Sequence, residues 1–421
     1  MGSKYLFYFA QAHAHFRVPE LESIAELNGF TIGFPDGVEN IERDISTPCM
    51  VLSLDKEEHA RILARRCILI RSVYEFYAQG ATYDELHAAN RASRPLWSKY
   101  IPDTSFKFTV YVYNHTVSQS YQRRTIESFS YMDFRGKIDL KDPDISLACF
   151  EEYTDSRGLP QEKRAEHREL LQIYLGRLIE DGSARSLIAQ YDVKKRTYFG
   201  NTSMESEISL LMANQGLASP GKLIYDPFVG TGSMVYTAAH FGAMVFGSDI
   251  DGRQMRGKEK LPGIIRAAAQ YGTAQRVIDL CTFDVTHNPW RCGELFDALV
   301  TDPPYGVRAG AKRLGRRRVR KAGPLPDYHS PDQPYIPPTK PYELSHLATD
   351  LVLLARYLLK PGGRLVFFLP TVTEEYTEVD VRAMLCEGMD IVANSLQDFG
   401  AWGRRVSDFS ASRQCGTDGI R

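Results

Sequence analysis

The sequence predicts an α/β protein: a C-terminal domain on a mostly parallel sheet, preceded by two small α+β units. Three observations carry this. From about residue 202 onward, strand-like and helix-like stretches alternate regularly. The strand-like stretches, such as "GKLIYDPF" (221–228) and "AMVFGSDI" (243–250), are apolar on consecutive positions rather than on every second one. Strands buried on both faces read that way, and both faces are covered when helices connect parallel strands. Several of these runs also end in an acid or a glycine turn, where such sheets place their ligands.

The elements follow in order. "KYLFYFA" (4–10) is strand-like, "PELESIAELNGF" (19–30) helical, "PCMVLSL" (48–54) strand-like and "KEEHARILARRC" (56–67) helical, giving a first α+β layer. "SFKFTVYVYNH" (105–115) alternates at period two, and "DISLACFEEY" (144–153) is a second strand. Between them lies "SYQRRTIESFSYMDFRGKIDL" (120–140), which mixes basic and aromatic residues, and residues 154–168 form a polar linker. "TSMESEISLLMANQG" (202–216) is a helix whose Thr202 and Glu205 fit a capping box. Strands at 221–228, 243–250, 277–285, 296–303, 364–370 and 390–399 alternate with helices at 232–242, 252–271, 343–363 and 374–387. The chain divides as residues 1–95, 96–185 and 186–421.

At 421 residues there is room for two or three cores. The formal net charge is −1, so an anionic partner has to be held by a local patch. The seven cysteines are odd in number and never spaced C-x-x-C, which argues against a disulfide framework and a structural zinc site in this chain. A reducing, cytoplasmic setting is the expectation. "MGSKYLFYFAQ" reads as a first strand rather than a signal peptide, and no apolar run approaches a membrane span.

"YDPFVGTGSM" (225–234) joins the first strand of the C-terminal domain to its first helix. Gly230 and Gly232 let a ligand approach the backbone and the helix N-terminus. A phosphate-binding loop needs a lysine that is absent, because Ser233 and Met234 follow Gly232. A dinucleotide site wants a third glycine where Val235 stands. S-adenosylmethionine needs neither: backbone groups and an acid such as Asp226 can meet its carboxylate and amine. Asp249, ending the next strand, can accept from ribose hydroxyls, and Asp284, ending the third, from an adenine amine. Each of these acids could instead serve as a helix or turn cap.

"VTDPPYG" (300–306) ends the fourth strand, which lies beside the first at the switch point of such sheets. Asp302, Pro303, Pro304 and Tyr305 suit methylation of an exocyclic amine on a planar ring. The lone pair of that amine is delocalised. Hydrogen bonds accepted by Asp302 and by the Pro303 carbonyl favour a pyramidal nitrogen. The two prolines fix the carbonyl, and Tyr305 offers a stacking face. A rigid loop after a buried strand is the plainer alternative. Beyond it, "AKRLGRRRVRK" (311–321) carries seven basic residues: Lys312, Arg313, Arg316, Arg317, Arg318, Arg320 and Lys321. A basic loop next to such a site suits a phosphate backbone, although a solvated charge run or a localisation signal has the same composition.

"YLGRLIEDGSARSLIAQYDVKKRTYFGNTSMESEISLLMANQG", followed by "DPFVGTGS", "GSDID" and "TDPPYGVRAG", resembles the catalytic subunits of tRNA (guanine-10-N2)-methyltransferases. The resemblance implies a ferredoxin-like domain and a THUMP domain that recognise tRNA, then a Rossmann-like methyltransferase domain using S-adenosylmethionine. It implies a small zinc-binding activator subunit as partner. It gives Asp302, Pro303, Pro304 and Tyr305 the target-base role. Asp226, Gly230, Gly232, Asp249, Asp284, Thr202 and Ser203 take the cofactor role. Adenine-N6 methylation, or RNA binding without catalysis, are the alternative functions. One departure stands out: residues 402–421 have few apolar positions and no alternation. Either the antiparallel seventh strand of such domains is absent, which would expose a sheet edge, or this is an alternative C-terminus, and reduced stability or activity is expected.

Overall fold

The computed structural model describes residues 2–34, 47–155, 169–257, 263–304, 312–315, 339–371, 382, 384–398 and 403–412. It divides into two compact units: Met1–Arg17 with Ile24–Arg185, and Val18–Ser23 with Ser186–Arg421.

In the first unit, strands β1 (Ser3–Phe9), β2 (Cys49–Leu54), β3 (Ile70–Gly80), β4 (Phe106–Tyr113), β5 (Ile145–Tyr153) and β6 (Leu170–Asp181) form one sheet. Its order is β2-β1-β3-β6-β5-β4, and of its ladders only β4–β5 is parallel. The sheet runs unbroken across residue 95, where the sequence suggests a division. Helices α2 (Glu57–Arg66), α3 (Tyr83–Ala92), α4 (Arg94–Trp97) and α5 (Gln119–Ser128) accompany it, while α1 (Arg17–Leu27) is divided between the units, with Val18–Ser23 in the second. Local chemistry sets their ends. α2 opens on Glu57 and Glu58 and closes on Arg65 and Arg66, matching the helix dipole. At α3 the Thr82 hydroxyl accepts from the Glu85 N–H at 3.3 Å, and Glu85 accepts from the Ala81 N–H at 2.9 Å. The core between α3, α4 and the sheet holds Tyr77, Leu86, Trp97, Phe129, Leu147 and Leu175.

The second unit opens with α6 (Ser186–Gln190) and α7 (Ser206–Gln215). Strand β7 (Leu223–Asp226) leads into α8 (Ser233–His240), and β8 (Met244–Asp249) into α9 (Gly252–Arg256) and α10 (Gly263–Gln270). Next come β9 (Val277–Thr282), β10 (Phe296–Thr301), the short pair β11 (Lys312–Leu314) and β12 (Thr339–Pro341), and α11 (Leu344–Leu358). Strands β13 (Leu359–Thr371), β14 (Met389–Asp398) and β15 (Gly403–Ala411) close the unit. The large sheet has the order β14-β15-β13-β10-β7-β8-β9. It is mixed: the β13–β10, β10–β7, β7–β8 and β8–β9 ladders are parallel, and both ladders of β15 are antiparallel. On one face Leu351, Val352, Ala355 and Leu358 of α11 pack with Leu299, Leu365, Phe367 and Phe409. Each of the valine, leucine and phenylalanine side chains here contributes roughly 1.5–3 kcal/mol by leaving water. Among the described residues no helix is long and apolar enough to cross a membrane.

Two expectations are corrected here. The seventh strand is present: β15 lies between β13 and β14, so Gly403–Ala411 is an interior strand and not an atypical tail. Its polar residues hide it in the sequence, although Arg404, Ser407 and Asp408 are buried. Asp408, fully buried, accepts from Arg364 at 2.6 Å, and Arg404 donates to Gln397 and Glu205 at 2.6 Å while lying 4.3 Å over the Phe368 ring. The capping box of Thr202 and Glu205 does not form either. α7 starts at Ser206 with Glu205 as its N-cap, and no side chain caps it. Glu205 instead serves Arg404 and Gln397. The expected helix at 374–387 lies largely outside the described residues, as does 413–421.

Candidate active site

β7 and β10 are sheet neighbours although β8 and β9 separate them in sequence, so the chain reverses its winding direction between them. A crevice opens at the carboxyl ends of strands at such a point. Asp226 ends β7, and Thr301 ends β10 with Asp302, Pro303 and Pro304 directly after it. The Thr301 hydroxyl donates to Asp226 Oδ1 at 2.5 Å, and the Phe228 N–H donates to the same oxygen at 3.0 Å. Both side chains are buried. Burial pushes the Asp226 carboxyl up to about 7. Its two hydrogen bonds oppose the shift, and the charges of Asp249 and Asp302 add to it.

The glycine turn sits above Asp226. Gly230 has φ +50° and Gly232 φ +88°, a left-handed backbone that glycine adopts without a Cβ penalty. A Cβ on Gly232 would also meet the Tyr236 hydroxyl at 2.9 Å, whereas at Gly230 the nearest atom would be the Phe228 carbonyl oxygen at 3.8 Å. The turn is therefore packed under Gly232 and open over Gly230. Asp249 fixes it: Oδ2 accepts from the Gly230 N–H at 3.0 Å and Oδ1 from the Asp251 N–H at 2.8 Å. Burial raises the Asp249 carboxyl, against those two bonds. The Ser203 hydroxyl pairs with that of Thr231 at 2.7 Å and accepts from the Gly200 N–H at 2.9 Å, which brings the segment before α7 onto the turn. Thr202 beside it is exposed.

Asp284 follows β9 and is buried, but its oxygens are engaged. Oδ1 accepts from the Thr286 N–H and hydroxyl at 2.8 and 2.9 Å, and Oδ2 from the Leu314 N–H at 2.6 Å. It caps a turn and holds β11 to the sheet. On β11, Lys312 is exposed, and the Arg313 guanidinium lies 5.2 Å from the centre of the Tyr342 ring. Tyr305, Arg316, Arg317, Arg318, Arg320 and Lys321 lie outside the described residues.

The structure thus gathers Asp226, Gly230, Gly232, Asp249 and Ser203 around one turn, with Asp302, Pro303 and Pro304 following the neighbouring strand. Sequence reasoning passes over two residues. Thr301 looks like the last apolar-run position of β10, although a hydroxyl directly before Asp302 is a usable signal. Arg196 is buried and donates to Ser233 Oγ at 3.0 Å, while Lys194 and Lys195 beside it are exposed. Nothing in "KKR" separates the three.

Residues 3–185 match the family described as Tmrp11 THUMP N-terminal domain, and residues 194–321 the one described as RMKL-like, methyltransferase domain. The second unit is therefore an α/β methyltransferase fold preceded by a THUMP-like domain. The tRNA (guanine(10)-N(2))-methyltransferase of Saccharomyces cerevisiae is 36% identical over 413 residues, covering 96% of this chain and 92% of its own. That of Schizosaccharomyces pombe is 34% identical over 437 residues, covering 97% and 89%. The Homo sapiens enzyme of this name is 34% identical over 411 residues, covering 94% and 85%. Similarity over nearly the whole chain joins the geometry of the switch point in one conclusion: the chain belongs to the tRNA (guanine(10)-N(2))-methyltransferase family.

Proposed function

We propose that this chain methylates the exocyclic 2-amino group of guanine 10 in tRNA, as the catalytic subunit of a two-subunit, cytoplasmic enzyme. The observation that carries the reading is the Thr301–Asp226 bond, which ties the strand end before Asp302 to the strand end under the glycine turn. One crevice then serves both substrates.

The residues fit S-adenosylmethionine, which supplies an electrophilic methyl group when bound. The open space over Gly230 admits the amino-acid portion at the N-terminus of α8. Asp226 suits its ammonium group. Asp249 keeps spare lone pairs for ribose hydroxyls, because each oxygen accepts one N–H here. Gly232, Thr202 and Ser203 complete this side of the site, and Asp284 would meet the adenine amine with its remaining lone pairs.

At the target base, Asp302 and the Pro303 carbonyl accept hydrogen bonds from the amine, Pro304 stiffens the turn and Tyr305 stacks on the ring. This orients the nitrogen lone pair and stabilises the positive charge that develops on it. Lys312, Arg313, Arg316, Arg317, Arg318, Arg320 and Lys321 would contact tRNA phosphates. Residues 1–95 as a ferredoxin-like part and 96–185 as a THUMP part would present the tRNA to residues 186–421, a Rossmann-like domain. The family resemblance supports a small zinc-binding activator as the second subunit.

The test is nucleoside mass spectrometry on unmodified tRNA incubated with S-adenosylmethionine, this chain and the activator. N2-methylguanosine is expected from the parent. With Asp302→Ala the rate should fall by at least about a hundredfold. N6-methyladenosine instead, or tRNA binding with no methylated nucleoside, would overturn the reading.

A further inference from the structure

Arg196 is a buried cation. It is 3% exposed, and among the described residues no carboxylate pairs with it. Its donors go to neutral oxygens: Nη1 to Ser233 Oγ at 3.0 Å, Nη2 to the Tyr191 carbonyl at 3.4 Å, and Nε to the Tyr271 hydroxyl at 3.4 Å. Its guanidinium lies 4.6 Å from the centre of the Tyr236 ring. Tyr236 in turn donates to the Thr231 carbonyl at 2.7 Å and fills the space under Gly232. The cation is therefore built into the packed side of the glycine turn. It touches the first residue of α8, the helix whose N-terminus faces the candidate cofactor site.

Burying an ion carries a large desolvation penalty, and in a low-dielectric interior its field reaches the neighbouring site with little screening. The same helix end already carries partial positive charge from its unsatisfied N–H groups. Both fields favour an anion at one place, over the open side of the turn. S-adenosylmethionine and its demethylated product each bring one anionic group, the carboxylate of the amino-acid portion.

We propose that Arg196 is a positioning residue for the cofactor carboxylate, acting through Ser233 and the α8 N-terminus without touching the ligand. The inference rests on the methyltransferase reading above. It assigns selectivity for the amino-acid end of the cofactor to a residue outside the glycine motif.

The test is calorimetric titration of the full chain with two ligands: S-adenosylhomocysteine, and 5′-methylthioadenosine, which has the adenosine and the sulfur but no carboxylate. Arg196→Gln should weaken S-adenosylhomocysteine by about tenfold and leave 5′-methylthioadenosine within about twofold. Arg196→Lys, which keeps the charge, should keep both affinities within about twofold of the parent. It carries the test if the glutamine variant does not fold. An equal loss for both ligands, in either variant, would make Arg196 a brace for the turn only and overturn the proposal. So would no loss for either ligand in a folded Arg196→Gln protein. A parent chain that binds neither ligand would sink the methyltransferase reading itself, and this inference with it.

Discussion

Asp226 is held in a state its surroundings resist. In an unfolded chain its carboxyl ionises near 3.8, and in the folded protein burial moves that to about 7. Folding is therefore favoured while the group is protonated. Its contribution is full below about 3.8 and is lost as pH rises through about 7. Asp226→Asn keeps the Oδ1 acceptor for Thr301 and Phe228 but removes the titration. The ligand-free variant should be more stable than the parent at pH 8 by roughly 2–4 kcal/mol, with a clearly smaller gain at pH 5. Urea unfolding at the two pH values reads this, and a gain independent of pH would contradict it. Thr301→Val removes the donor that opposes the shift, so the carboxyl should rise further. Cofactor affinity should then fall between pH 6 and 8, with Thr301→Ser restoring it; a flat pH response would show that the hydroxyl only fills space. At this scale the site was half legible. Asp226, Gly230, Gly232, Asp249 and Asp302 stand within a few positions of strand ends, where residue type and place coincide. Thr301 and Arg196 act through partners that the linear sequence does not bring near them.

At the scale of elements, the last strand shows what periodicity misses. β15 is interior, with β13 on one side and β14 on the other, and its buried positions include Arg404, Ser407 and Asp408. Alternation fails as a signal when polar side chains are buried in pairs. Asp408 Oδ2 pairs with Arg364 on β13, and Arg404 with Gln397 on β14 and Glu205 beside α7. The failed capping box at Thr202 and Glu205 has the same cause, since Glu205 is committed to a strand two hundred residues away. β7, β8 and β10 were legible because most of their positions are aliphatic or aromatic, with the buried, paired polar residues kept towards their carboxyl ends. The Arg364–Asp408 pair is almost solvent-free, with side chains 4% and 0% exposed. Removing one partner leaves a buried charge, so Asp408→Ala should cost about 3–5 kcal/mol of unfolding free energy. The double change Arg364→Met with Asp408→Leu should recover most of that loss. Denaturant midpoints of the three proteins decide it. A cost below about 1 kcal/mol for Asp408→Ala would mean that water reaches the pair.

The whole molecule, with a formal net charge of −1, has no long-range attraction for a polyanion. Its affinity for tRNA then depends on where cations are concentrated, and residues 311–321 hold seven of them with no acid. The described part of that stretch, β11, is anchored: it pairs with β12, and its Leu314 N–H is fixed to Asp284. Asp284 thus links a strand end of the cofactor sheet to the root of the basic segment. If these cations neutralise phosphates, each pairing releases counter-ions and steepens the fall of affinity with salt. Replacing all seven with glutamine should weaken tRNA binding at low salt. It should also flatten the log–log salt dependence by about 0.7–0.9 for every phosphate that is no longer neutralised. S-adenosylhomocysteine affinity should stay the same, because Asp226, Asp249 and the glycine turn are untouched. Filter binding of tRNA across a salt series, with calorimetry for the small ligand, measures both. A parallel shift with an unchanged slope would mean that the segment acts by shape and that the phosphates are held elsewhere. A simultaneous loss of cofactor affinity would mean that the β11–Asp284 anchor, rather than charge, is what the segment supplies.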